Sequence, residues 1–205
     1  MIPIVICARQ GSVPLEVFKA SFLAYGKDCM LSIYPASGAT FGESYNSAMR
    51  QAFETDDEII IANDDVVLNP FTMPDMLSDL ARLKAEHGDK LGLVGTYADN
   101  IRWVQHIKGN EFICREIDRL SPLFTWMSKK AFMDCPFPPM NWYADDVICE
   151  DLSALGYRHF ISKAYVHHVG SQTIGTDVAA LNAASMPWLI ENRPHYLEKW
   201  FGRAE

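Results

Sequence analysis

Residues 58–65 read Glu-Ile-Ile-Ile-Ala-Asn-Asp-Asp, and this stretch decides the fold class. The four apolar residues are too few for a helix and suit a strand buried on both faces, as in helix-covered parallel sheets. The polar triplet Asn63-Asp64-Asp65 ends that strand where ligand sites of open α/β sheets gather, at the carboxyl edge. The same pattern recurs on both sides. Residues 2–8, 29–34 and 91–96 are further apolar runs, and residues 13–25 carry helical periodicity. Tyr45, Ala48, Met49, Ala52 and Phe53 recur at helical spacing, as do Met76, Leu77, Leu80 and Leu83. Strands separated by helices of this length predict right-handed crossovers and an α/β domain with a mostly parallel central sheet flanked by helices.

The second half is less regular. Residues 101–107 and 111–115 suit a hairpin or an irregular insertion, and 123–128 a strand followed by a short helix from Lys129. The proline-rich residues 135–140 predict a loop. Residues 145–155 predict a helix with Ile148, Leu152 and Leu155 on one face and Gly156 at its C-cap. Residues 157–161 and 164–169 are two strand-like runs, and a final amphipathic helix falls within 178–200.

With 205 residues, 49% hydrophobic, the chain has material for one well-buried domain. Its net charge of −8 leaves no excess of Lys and Arg for broad contact with a phosphate backbone. No apolar run approaches the roughly 18 residues that span a bilayer, and Met1-Ile2-Pro3 carries no basic leader. Five scattered cysteines, Cys7, Cys29, Cys114, Cys135 and Cys149, form no CxxC pair. They suit a reducing compartment, so the expectation is a soluble cytoplasmic protein.

Three clusters bear chemistry. Adjacent carboxylates in Asn63-Asp64-Asp65 repel unless a cation or donors compensate, and hard divalent ions take such oxygen ligands; an Asx turn or helix cap is the alternative. Asp145-Asp146 opens a predicted helix behind Trp142-Tyr143. Acidic residues suit a first turn by themselves, while a carboxylate against aromatic surface is also a candidate general base. His167-His168 precedes Gly170. Neighbouring strand residues point to opposite faces, so one histidine at most joins a given metal site, and a histidine satisfied by backbone groups is the alternative. The chain contains no GxSxG, HExxH, Walker loop or GxGxxG.

Taken in order, these segments resemble the family 2 glycosyltransferases, inverting nucleotide-sugar-dependent enzymes with the GT-A fold. Ile2-Pro3-Ile4-Val5-Ile6-Cys7-Ala8-Arg9 is similar to their first strand, with its usual Pro-Thr-Tyr-Asn ending replaced. Tyr45-Asn46-Ser47-Ala48 resembles an Asn-containing helix start. Residues 59–66, followed by Pro70, resemble the DxD-type segment. Trp142-Tyr143-Ala144-Asp145-Asp146, with Leu152, Leu155, Gly156, Tyr157 and Arg158, resembles the Glu-Asp dyad helix, with Asp145 where Glu is usual. Residues 164–171 resemble the Ala-x-Val-x-His-x-Gly segment, and Tyr196-Leu197-Glu198-Lys199-Trp200 the Lys-Trp ending.

The resemblance implies one domain, with residues 1–100 binding the nucleotide sugar and 101–205 serving acceptor and catalysis. It implies a hexosyl- or pentosyltransferase. Asp65 would hold Mn²⁺ or Mg²⁺, with His168, or else His167, as the later ligand. Ala8, Arg9, Asn46, Asn63 and Asp64 would contact a donor, most often a UDP-sugar. Asp146 would be the general base and Asp145 would orient a substrate, while Trp126, Trp142 and Tyr143 would stack on acceptor faces. The acceptor is a glycan or another hydroxyl-bearing molecule, a modified nucleic-acid base included. Two alternatives stand beside this: a nucleotidyltransferase or nucleotide-sugar hydrolase on a similar scaffold, and a sugar-nucleotide-binding module without turnover.

Overall fold

The computed structural model describes residues 1–26, 29–38, 40–101, 104–107, 112–170 and 177–202. The opening apolar run forms β1 (Ile2–Ala8), with Ile4, Val5 and Ile6 fully buried. Next, α1 (Val13–Tyr25) starts at Ser12, whose side chain accepts from the Leu15 N–H. Such a cap stabilises a helix by about 1 kcal/mol. β2 (Cys29–Pro35) pairs with β1 at the sheet edge. A reciprocal Thr40–Glu43 capping box opens α2 (Phe41–Ala52). There follow β3 (Glu58–Ala62), the two-residue β4 (Val66–Val67), α3 (Thr72–His87), a 3₁₀ turn at Gly88–Lys90 and β5 (Leu91–Ala98). The second half contributes β6 (Arg115–Ile117), β7 (Phe124–Ser128), α4 (Lys129–Asp134), α5 (Ala144–Ala154), β8 (Arg158–His168), α6 (Val178–Asn192) and α7 (Pro194–Phe201).

The strand order is β2-β1-β3-β7-β5-β8-β4, with β6 against β8. Alternation along each strand builds a core on either side. Ile4, Ile6, Ile60, Ala62, Phe124 and Trp126 face α1 and α3. Val5, Ile59, Ile61, Leu93 and Met127 face α2, α4 and α5. The result is one mixed α/β domain with helices on both faces of a central sheet.

Three details correct the sequence reading. The sheet is mixed rather than mostly parallel: β1–β2, β1–β3 and β5–β8 are parallel, but β7, β6 and β4 run antiparallel to their neighbours. The cause for β7 is its point of entry. Leu123 carbonyl accepts from Asn63 N–H at 2.9 Å, so β7 begins where β3 ends and must run back. Secondly, the two late strand-like runs are one strand, β8. Ser162 Oγ accepts from the Ala164 N–H and Lys163 N–H donates to Asp79, which holds an irregularity in the β5–β8 register where the sequence turns polar. Lastly, the final helix is two, because Pro194 opens a new helix after Arg193. The expected hairpin falls partly on residues 102, 103 and 111, and Ser171 of the histidine segment also lies outside the described residues. The C-cap falls one residue earlier than expected, on Leu155, and Gly156 follows it with φ +83°; the Tyr157 and Gly156 N–H groups donate to Leu152 and Ser153 carbonyls, a Schellman closure.

Candidate active site

Asp65 follows β3 and precedes β4, and β4 is what carries it to a histidine. Val66 pairs with His168 and Val67 with His167, while the Val169 N–H donates to the Asp65 carbonyl at 3.0 Å. Strand alternation then separates the two imidazoles. The His168 side chain is buried, with Nε2 3.4 Å from Asp65 Oδ2. His167 is half exposed and turns to Asp99, Nδ1 to Oδ2 at 2.5 Å. His168 Nδ1 lies 3.0 Å from the Asn100 carbonyl. A carbonyl only accepts, so Nδ1 carries the proton and Nε2 faces Asp65. Burial alone would lower the His168 pKa; the hydrogen bond and charge of Asp65, helped by the Asn100 carbonyl and Asp99, outweigh it and leave it raised. Asp65 Oδ1 is buried without a hydrogen-bond partner.

A buried carboxylate oxygen with no donor is costly and uncommon. The other oxygen of the same carboxylate faces an imidazole whose second nitrogen is fixed by a carbonyl, the arrangement of a metal-ligating histidine. Among the described residues no group of three or more His, Cys, Asp or Glu side chains could hold a metal. Asp65 and His168 are two groups that could share an ion, which would take its remaining ligands from water or a bound ligand.

The second carboxylate pair opens α5. Tyr143, the residue before the helix, adopts a left-handed conformation with φ +66°. Asp146 is buried, and Arg119 Nη1 donates to its Oδ1 at 3.3 Å. Asp145 Oδ2 accepts from Ser121 Oγ at 2.7 Å, and its Oδ1 from the Asp146 N–H at 3.1 Å.

Residues 119–123 tie the two pairs together. Arg119 reaches Asp146, Ser121 reaches Asp145, and Leu123 bonds Asn63 at the end of β3. Ser121 and Leu123 are two residues apart, a span of at most about 7 Å. Ser12 Oγ donates to Asp64 Oδ2 at 2.5 Å. That contact joins the acidic loop to a cleft of about 540 Å³ at the ends of β1 and β2. Ala8, Arg9, Gly11, Ile33 and Tyr34 are among the residues that line it.

Two predicted site residues lie elsewhere. The Asn46 amide is spent on the Phe137 backbone, donating to its carbonyl at 2.7 Å and accepting from its N–H at 3.0 Å, so it pins the 135–140 loop and offers a donor nothing. Trp126 is 3% exposed in the core on β7, with its indole N–H on Glu58. It presents no face to an acceptor. Trp142 and Tyr143 are half-buried beside the dyad; Tyr143 stacks on Trp200 at 5.7 Å and donates to Asn182. The residues that sequence reasoning missed are Ser12, Asp99, Asn100, Arg119 and Ser121. Asp99-Asn100 carried a signal, an acid-amide pair at a strand end like Asn63-Asp64-Asp65. Arg119 and Ser121 carried none.

No protein-family profile and no curated protein matches this chain in sequence. Solved structures do resemble it. S. aureus TarS residues 1–349, in complex with UDP-GlcNAc, superposes with a TM-score of 0.56 at 12% identity, covering 87% of this chain and 60% of that one. GalNAc-T7 with UDP, GalNAc and Mn²⁺ gives 0.61 at 8% identity, covering 98% and 58%. A197 from STIV gives 0.52 at 16% identity, covering 78% and 81%. The chain thus spans about three-fifths of TarS 1–349 and of the GalNAc-T7 chain, and 36% of the longer TarS structure. At such identities the likeness is one of architecture, and the architecture is the GT-A glycosyltransferase fold.

Proposed function

We propose that this protein is an inverting glycosyltransferase that moves a sugar from a nucleotide sugar, a UDP-sugar foremost, to an acceptor hydroxyl. The observation that carries the reading is Asp65 at the carboxyl edge of the sheet, with its Oδ1 buried and partnerless and its Oδ2 facing His168 Nε2. The complexes of TarS with UDP-GlcNAc and of GalNAc-T7 with UDP and Mn²⁺ on the same fold support it.

Asp65 and His168 would hold Mn²⁺ or Mg²⁺, which supplies Lewis-acid stabilisation of a departing diphosphate. The nucleoside lies in the cleft at the ends of β1 and β2 beside Arg9, with Asn63 and Asp64 on the acidic loop that Ser12 joins to it. Asp146 takes the proton of the acceptor hydroxyl as its oxygen bonds to the anomeric carbon. The bond from that carbon to the diphosphate breaks on the opposite side, and the nucleoside diphosphate leaves. Asp145, held by Ser121, orients the substrate, and the Trp142 and Tyr143 rings flank the acceptor side.

The test is calorimetry and UDP release with UDP-GlcNAc, UDP-GalNAc and UDP-glucose. Mn²⁺-dependent binding that is lost in EDTA is expected; equal affinity in excess EDTA refutes the metal. Asp146→Asn is expected to cut turnover by about 10²–10⁴-fold with donor binding retained, and near-normal kcat in that variant moves the base elsewhere.

A further inference from the structure

The Lys199-Trp200 segment has no part in the chemistry above, yet it packs on residues that surround the dyad. Arg119 donates to Asp146, and its guanidinium carbon lies 5.4 Å over the Trp200 ring. Trp200 is itself fixed on three sides. Its indole N–H donates to Glu150 at 3.2 Å, and it stacks on Tyr196 at 5.4 Å and on Tyr143 at 5.7 Å. Glu150 lies one turn beyond Asp146 on α5, and Lys199 closes on it at 2.6 Å. Arg193 and Tyr196 grip Asp151 beside it. Thus α7 is bolted to α5 through acidic residues of α5, and the ring it carries meets a cation that donates to Asp146.

From this geometry we propose that Trp200 is a positioning residue: its ring face holds the Arg119 guanidinium against Asp146 and so fixes the carboxylate that receives the proton. The inference rests on the reading of Asp146 as the base. Arg119 comes from an irregular segment and its side chain is 37% exposed, so its backbone does not by itself determine where its guanidinium lies. A long flexible side chain of this kind has many rotamers, and an aromatic face below its plane selects among them. Displacement of a reacting group by an ångström lowers a rate by about a hundredfold.

The test is a double-mutant cycle on the full chain, read as UDP release from UDP-GlcNAc, UDP-GalNAc and UDP-glucose with Mn²⁺, alongside calorimetric affinity for UDP. Arg119→Gln and Trp200→Ala should each lower kcat by about a hundredfold, leave UDP affinity unchanged, and together cost no more than the worse single change. Trp200→Phe, which keeps a ring face but loses the indole N–H, should restore most of the rate. The inference is overturned if the two losses multiply, if Trp200→Phe is as slow as Trp200→Ala, or if UDP affinity falls in step with kcat. Should Trp200→Ala fail to fold, Arg119→Gln and Trp200→Phe still decide: a normal rate in the first, or a hundredfold-scale loss in the second, overturns it. Wild-type protein that releases UDP from none of the three donors overturns the reading of Asp146 and this inference with it, a result distinct from all the others.

Discussion

His159 shows how one buried polar side chain shapes both stability and sequence. It is 1% exposed; Nδ1 accepts from the Leu93 N–H at 3.0 Å and Nε2 donates to the Cys149 carbonyl. Desolvation, the largest influence, depresses its pKa below the ordinary 6.5. A histidine kept neutral in the fold contributes stability that is present above about 6.5 and lost as pH falls toward the folded value. His159→Gln should therefore be less stable than wild type at pH 8, with the gap narrowing below pH 6.5; urea titrations at both pH values check this. Gly92 answers to the same ring, since a Cβ there would stand 2.7 Å from Nδ1. At this scale the sequence was readable where geometry is local. The alternation of His167 and His168 required that they part, and they do. Asn46 and Trp126 misled because a side chain's type says nothing of which backbone it meets across the fold, and both found partners far along the chain.

Among elements, the apolar runs of the first half became strands nearly residue for residue, because burial on both faces leaves an unmistakable pattern. β4 was invisible: two valines make no period, and only pairing with β8 makes them a strand. The break between α6 and α7 follows from Pro194, but what fixes the angle is Asp151. It accepts a two-pronged contact from Arg193 at 2.9 and 2.8 Å and a third from the Tyr196 hydroxyl at 2.7 Å. Asp151→Ala removes all three and should destabilise the protein by about 1–3 kcal/mol. Hydrogen exchange should show α7 losing protection before β1 does, and equal protection would contradict that anchoring.

For the whole molecule, two cores share one set of strands, so neither can melt alone. Val5 and Ile6 are neighbours on β1 yet belong to opposite cores. A single unfolding transition follows, with far-UV circular dichroism and tryptophan fluorescence superimposing; separate midpoints would contradict it. The order of the acidic loop, the dyad and the histidine was legible because the carboxyl edge of an α/β sheet collects such groups. Their joining by residues 119–123 was not, since that segment has no periodicity to read. Within the described residues no helix is long and apolar enough to cross a membrane. One small side chain reaches across this whole arrangement. Ser12 gives its proton to Asp64 while its oxygen serves the Leu15 amide at the start of α1. Anything that draws Asp64 aside sets that hydroxyl spinning, and the opening turn of α1 frays in response, so a nitrogen resonance at position 15 would announce the arrival of a ligand at the acidic loop.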